Sequence, residues 1–105
     1  MYLLRYEEGQ EYKAHHDYFS DQANIARGGN RVATVVMYLA EPEKGGETYF
    51  PKVDLEVPAR KGDAVLFWDY KPDNTPDEKT LHSSKPVVKG TKYALTKWIR
   101  QRKFA

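Results

Sequence analysis

The sequence predicts an all-β domain, a sandwich or a barrel. Three observations carry that reading. About eight short β-forming segments follow one another, each bounded by Gly, Pro or Asp. Helical periodicity is nearly absent. The strongest strand candidate, Arg31 to Leu39, is β-branched and nearly continuously apolar.

Each element follows from local chemistry. Tyr2 to Tyr6 and Gln10 to His15 read as two strands around Glu7-Glu8-Gly9, a turn whose glycine suits positive φ. Ser20 to Asn30 is polar, ends Arg27-Gly28-Gly29-Asn30, and reads as a loop with room for one helical turn. Arg31 to Leu39 is nearly continuously apolar, the pattern of a strand covered on both faces. Glu41-Pro42-Glu43-Lys44-Gly45-Gly46 breaks it. Glu47 to Phe50 is a short strand stopped by Pro51, and Leu55 to Val57 is another. Arg60-Lys61-Gly62-Asp63 turns the chain into Ala64 to Tyr70, an aromatic strand. Lys71 to Lys79, with Pro72, Asn74 and Pro76, is an exposed loop. Thr80 to Ser84 is a strand, Lys89-Gly90-Thr91 a turn, and Lys92 to Arg100 the final, alternating strand.

Residues 1–105 form one domain, since no repeat, low-complexity segment or internal boundary divides them. The absence of cysteine excludes disulfides, thiolate metal sites and cysteine nucleophiles. No apolar run approaches the roughly 20 residues that span a bilayer. Met1 to Arg5 is too short and too soon polar for a secretory signal, so the chain reads as entering its first strand directly, like a piece of something longer. The net charge of +2 hides an asymmetry. Lys85, Lys89, Lys92, Lys97, Arg100, Arg102 and Lys103 follow one another with no acidic residue between them. A solvated strand face plus a tail accounts for this block better than a nucleic-acid footprint.

The chemistry concentrates in two stretches, Tyr12-Lys13-Ala14-His15-His16-Asp17-Tyr18-Phe19 and Leu81-His82-Ser83-Ser84. On an extended strand His15 and Asp17 leave the same face. A His-x-Asp pair with one distant His is the ligand set of a non-haem Fe(II) site, which keeps three coordination positions open. The ordinary alternative is a solvated or mutually hydrogen-bonded His–Asp pair. His16 is the other candidate imidazole, but on a strand it points away from His15. A double-stranded β-helix, or jelly roll, would set the two stretches side by side at one mouth. A Ser-His-Asp reading is poorer, since no Gly-x-Ser-x-Gly elbow exists.

Several motifs agree with one family. Tyr6 to Phe19, Gly45-Gly46-Glu47-Thr48-Tyr49-Phe50-Pro51, Lys61-Gly62-Asp63-Ala64, Leu81 to Lys92 and Thr96-Lys97-Trp98-Ile99-Arg100 resemble, in this order, the prolyl 4-hydroxylase catalytic core. The likeness covers nearly the whole chain and is greatest to plant, algal and microbial enzymes. The resemblance implies a jelly roll with little helix and an iron(II)- and 2-oxoglutarate-dependent dioxygenase. It implies hydroxylation of peptidyl proline at C4, with O2 consumed, 2-oxoglutarate decarboxylated to succinate, and ascorbate as reductant. By position, His15, Asp17 and His82 are similar to the iron ligands. Lys92 is similar to the residue that grips the distal carboxylate of 2-oxoglutarate, with Tyr6, Tyr38 and Thr96 supplying hydroxyls nearby and Trp98 closing the pocket. Tyr12 and Arg31 match substrate-peptide positions. Arg100 stands where some relatives have His, which puts its substrate role in doubt. A proline-containing peptide or protein is the implied partner, with no nucleic acid and no membrane segment. The secretory pathway is implied for a trimmed plant-type enzyme and the cytoplasm otherwise; the sequence itself encodes neither address.

Two departures stand out. The family's N-terminal helical layer is missing from the segments read here, and the loop between Phe50 and Leu55 is short. Two alternatives follow. One is the same chemistry on another protein side chain, a small molecule or a nucleic acid. The other is a non-catalytic, metal-holding jelly-roll module.

Overall fold

The computed structural model describes residues 2–19 and 29–101. Ten strands appear among them: β1 (Tyr2–Tyr6), β2 (Tyr12–His15), β3 (Arg31–Ala40), β4 (Lys44–Gly45), β5 (Thr48–Phe50), β6 (Leu55–Val57), β7 (Ala64–Trp68), β8 (His82–Ser84), β9 (Val87–Lys89) and β10 (Lys92–Arg100). A single 3-10 turn over Glu78–Thr80 is the one helical element among the described residues. The larger sheet runs β1-β10-β3-β7, the smaller β2-β8-β5-β6, and β4 pairs β9 apart from both. Every pairing is antiparallel. This is the expected jelly-roll arrangement.

Strand alternation decides what faces the interior. The larger sheet is centred on its two longest strands, β3 and β10. Tyr6 lies opposite Lys92, and Ala94 opposite Tyr38. With Thr96 and Thr34 these side chains are buried on the concave side. The buried apolar set is small and aromatic-rich: Tyr6, Tyr38 and Phe50 with Ala33, Ala59, Val87 and Ala94. Phe50 meets Phe67 edge-on, with centroids 5.1 Å apart, and both rings lie near His82.

Several expectations needed correction. β4 falls inside the segment read as a simple break. Gly45 there has φ +85°, and a Cβ on it would collide with the backbone of Pro86 and Val88. The close approach that glycine permits is what allows the two-residue ladder with β9. The exposed loop after Tyr70 closes with the 3-10 turn, whose first residues are capped by Asp77 Oδ1 accepting from the Lys79 N–H at 3.0 Å. β3 is not covered on both faces: Leu39 is exposed, and Val35 and Met37 are half-buried. The loop expected over Ser20 to Asn30 falls mostly outside the described residues. Among the described residues no helix is long and apolar enough to cross a membrane.

Candidate metal centre

Pairing of β2 with β8 puts His15 opposite His82, and their rings lie 4.4 Å apart. Strand alternation does not place Asp17, because β2 ends at His15. A bend carries the chain on and turns the buried Asp17 carboxylate back toward both rings. Asp17 Oδ1 lies 3.2 Å from His15 Nε2 and 3.6 Å from His82 Nε2. One ligand atom from each of the three residues falls within 4.8 Å of the others. His16 turns elsewhere, with Nε2 at 3.2 Å from the Glu78 carbonyl and its ring stacked on Tyr18.

The remaining ring nitrogens fix the tautomers. His15 Nδ1 donates to the Lys13 carbonyl at 2.9 Å, and His82 Nδ1 to the Thr80 carbonyl at 2.8 Å. A carbonyl only accepts, so each Nδ1 carries a hydrogen, and in its neutral form each ring presents the Nε2 lone pair. With both rings neutral, three acceptors converge on one point and favour a cation there; without one, a proton on His15 Nε2 bridges to Asp17. Asp17 Oδ2 is held from behind, accepting from Trp98 Nε1–H at 3.1 Å and from the Thr34 hydroxyl at 2.9 Å. Oδ1 is left for the cation. Two imidazole nitrogens and one carboxylate oxygen on one side of a centre fit Fe(II).

Electrostatics agree with a cation site. Burial raises the Asp17 carboxyl, but the His15 bond, the nearby His82 and the bonds from Thr34 and Trp98 outweigh it and hold Asp17 down at about 2. Burial lowers His15, and the Asp17 partnership overcomes this and raises it. In His82 burial prevails and the ring titrates below the ordinary range.

A cavity of about 430 Å³ opens beside this cluster and runs to Lys92. Lys92 is only 2% exposed. Its ammonium donates to the Gly46 carbonyl at 2.8 Å and to Ser84 Oγ at 2.9 Å, and it faces the rings of Tyr6 and Tyr38 at 4.9 and 5.5 Å. Among the described residues no carboxylate pairs with it. Burial draws its pKa down to about 8, against the weaker pull of Glu47. A buried ammonium without a counter-ion is costly unless an anion arrives.

The other anticipated residues divide. Tyr6, Thr96 and Trp98 line the cavity, as do Tyr12 and Arg31. Tyr12 packs against His15 with ring centroids 4.2 Å apart and the planes tilted by 45°, and the Arg31 guanidinium lies over the Trp98 ring at 3.8 Å. Trp98 directs its indole N–H to Asp17, at the metal end rather than the Lys92 end. Tyr38 sits behind the lining, its hydroxyl 2.6 Å from Thr48 Oγ1. Arg100 lies over Phe19 at 4.9 Å and is not brought into the lining. Of the basic block, Lys85 and Lys89 pair with Glu56 and Glu43, and Lys92 is buried.

Four contributors escaped sequence reasoning: Thr34, Thr48, Asp69 and Ser84. A usable signal existed for two of them. Thr34 and Asp69 interrupt or end otherwise apolar strands, where a polar side chain must find a partner.

Comparison with known proteins adds an independent line. The family model described as the 2OG-Fe(II) oxygenase superfamily matches residues 1–100. A probable prolyl 4-hydroxylase 7 of Arabidopsis thaliana is 46% identical over 99% of this chain and 39% of its own length. Prolyl 4-hydroxylase 2 of the same plant is 43% identical over 94% of this chain and 40% of its own length. The chain thus spans about two fifths of the length of the curated relatives it matches. Among solved structures, a viral collagen prolyl hydroxylase from Paramecium Bursaria Chlorella virus-1, in complex with 2OG, superposes with TM-score 0.83 at 35% identity, over 93% of this chain and 56% of that one. A Pseudomonas putida prolyl-4-hydroxylase gives TM-score 0.70 at 26% identity, over 96% and 51%.

Proposed function

The chain belongs to the 2OG-Fe(II) oxygenase superfamily, and from that premise we propose that it is the catalytic core of an iron(II)- and 2-oxoglutarate-dependent dioxygenase that hydroxylates peptidyl proline at C4. The observation that carries the reading is the joint geometry of two groups along one cavity. Three acceptors meet at Asp17 Oδ1, and a buried ammonium without a carboxylate partner among the described residues stands at Lys92. The first needs a metal and the second needs an anion, and 2-oxoglutarate carries carboxylates at both ends. The names of the relatives, all prolyl hydroxylases, support proline as the target.

In this reading His15, Asp17 and His82 would hold iron(II), which would supply activation of O2, loss of CO2 from 2-oxoglutarate to leave succinate, and insertion of one oxygen atom at C4. Lys92 binds the distal carboxylate, with Thr96 and the Tyr6 hydroxyl beside it and Tyr38 shaping the pocket from behind. Trp98 orients Asp17 and roofs the cavity. Tyr12 and Arg31 flank the metal end and present an aromatic and a cationic surface to an extended peptide; Arg100 lies farther out, beyond the lining. Ascorbate serves as reductant.

The test is incubation with iron(II), 2-oxoglutarate and a panel of proline-containing peptides, read by mass spectrometry and succinate release. Wild-type protein is expected to add one oxygen atom per proline modified, and Asp17→Ala to lose at least about a thousandfold in rate, some 4 kcal/mol of transition-state stabilisation. Product formation by Asp17→Ala at the wild-type rate would end the site assignment. Succinate release with no modified peptide would keep the chemistry and change the substrate.

A further inference from the structure

Asp69 has no part in the reaction described so far, yet it is fully buried, at 0% exposure, immediately behind the candidate metal centre. Its backbone is clamped: the N–H donates to the Val32 carbonyl at 2.7 Å, and the carbonyl accepts from the Asp77 N–H at 2.8 Å. Its side chain meets Thr34. Thr34 Oγ1 lies 2.7 Å from Asp69 Oδ2 and 2.9 Å from Asp17 Oδ2.

A hydroxyl has one hydrogen and two lone pairs. Thr34 therefore cannot donate to both carboxylates. If both acids were ionised, one of these two short contacts would set oxygen lone pair against oxygen lone pair. The second Asp69 oxygen, Oδ1, is also buried and has no donor among the described residues. An ionised Asp69 would thus leave half of a buried negative charge without a hydrogen bond, close to a second carboxylate. A protonated Asp69 removes the first conflict and eases the second, since Oδ1 becomes an uncharged carbonyl oxygen. Its O–H donates to Thr34, and the Thr34 hydroxyl is then released to donate to Asp17.

We propose that Asp69 is a positioning residue: as a neutral carboxylic acid it donates to Thr34, which donates to Asp17 Oδ2 and so presents Asp17 Oδ1 to the metal. The proposal rests on the reading of Asp17 as a metal ligand. Burial supports it by raising the Asp69 carboxyl to about 7; the Thr34 bond and the nearby Arg31 oppose this, and Asp17 reinforces it. The Arg31 guanidinium is meanwhile engaged over the Trp98 and Phe19 rings. Thr34 acts as the relay because it faces inward from β3, paired in register with Trp98 on one side and Phe67 on the other. Two donors from different strands, Thr34 and Trp98, then grip one carboxylate oxygen.

The test has two parts. Infrared difference spectra of metal-free wild type against Asp69→Asn, slightly below neutral pH, are expected to show the carbonyl stretch of one protonated carboxyl group that the variant lacks. Absence of that band, or its persistence in Asp69→Asn, would overturn the proposal. Cobalt(II) titration, followed by the visible spectrum of the bound ion, gives the second readout. The Asn amide can still donate to Thr34, so Asp69→Asn should retain affinity within about threefold, whereas Asp69→Leu and Thr34→Val should each lose about 10- to 100-fold, the usual effect of removing a ligand's orienting partner. Thr34→Val replaces the hydroxyl by a methyl group of similar size, so it reads the relay even if Asp69→Leu folds poorly. Wild-type affinity in Thr34→Val would overturn the relay. Asp17→Ala separates the two readings: unchanged cobalt binding there would remove the ligand assignment, while the Asp69 band would still stand or fall on its own.

Discussion

The two faces of the larger sheet are inverted relative to an ordinary half-buried sheet. The inner face carries Tyr6, Thr34, Tyr38, Lys92 and Thr96, all buried and all polar or charged at some atom. The outer face carries Leu3, Leu39, Leu66, Trp68 and Ile99, all exposed, with Leu66 at 56% and Trp68 at 63%. Antiparallel sheets usually bury the apolar face and solvate the polar one. The interior of this barrel thus combines core side chains with polar ones, and each buried polar group carries a desolvation cost. The outer face, by contrast, exposes large apolar side chains interspersed with Arg5 and Lys97.

The comparison is broken most severely at Lys92. Replacing it with Met removes a buried cation and keeps much of the side-chain volume. Lys92→Met should bind 2-oxoglutarate at least about a hundredfold more weakly, yet unfold at equal or higher denaturant concentration, by about 1–3 kcal/mol, as when other buried charges give way to apolar groups. Isothermal titration with 2-oxoglutarate and chemical denaturation of the metal-free protein check the two halves. A variant that loses stability would mean that the ammonium holds the fold together.

Acidity sharpens the same contrast. Lys92 titrates at about 8 in the folded chain, below its ordinary 10.5. Between these values the unfolded chain binds more protons than the folded one, so stability rises with pH over that window and is flat below it. Binding of 2-oxoglutarate runs the other way. If Lys92 binds the distal carboxylate as proposed, affinity should fall by about tenfold per pH unit above pH 8 and be level below it, until metal-ligand protonation intervenes. Titrations at several pH values check the sign of each slope.

The smallest effect is expected on the outer face. Leu66→Glu should leave turnover within about twofold of wild type and change stability by no more than roughly 0.5 kcal/mol, because the residue is exposed. It should lower binding of an apolar dye such as ANS and any concentration-dependent association. A large loss of activity would mean that the outer face communicates with the site.

Much of this was legible in the residues because the strongest signals are local. Turn residues mark strand ends, and alternation along Lys92 to Arg100 separates Lys92 and Thr96 from Leu95 and Ile99. The meeting of His15, Asp17 and His82 was legible because the chain has only three histidines, and a His-x-Asp pair with one distant His is a recognisable pattern. What escaped was set by three-dimensional proximity. β4 and β9 are too short to leave a pattern, and only their mutual pairing makes them strands. Asp17 reaches the site through a bend that follows the strand, not through strand alternation. The exposure of β3 on one side was misread because an apolar run looks the same whether or not something covers it. The contact of the Tyr38 hydroxyl with Thr48 Oγ1 likewise depends on two strands meeting and leaves no local signal.

The central claim is tested most directly by counting divalent metal ions and 2-oxoglutarate molecules bound in order, by titration calorimetry under anaerobic conditions. The account predicts one metal ion per chain, lost in Asp17→Ala and in His82→Ala, and one 2-oxoglutarate that binds tightly only after the metal and only with Lys92 intact. Metal binding of wild-type strength in Asp17→Ala, or 2-oxoglutarate binding that ignores both the metal and Lys92, would contradict it.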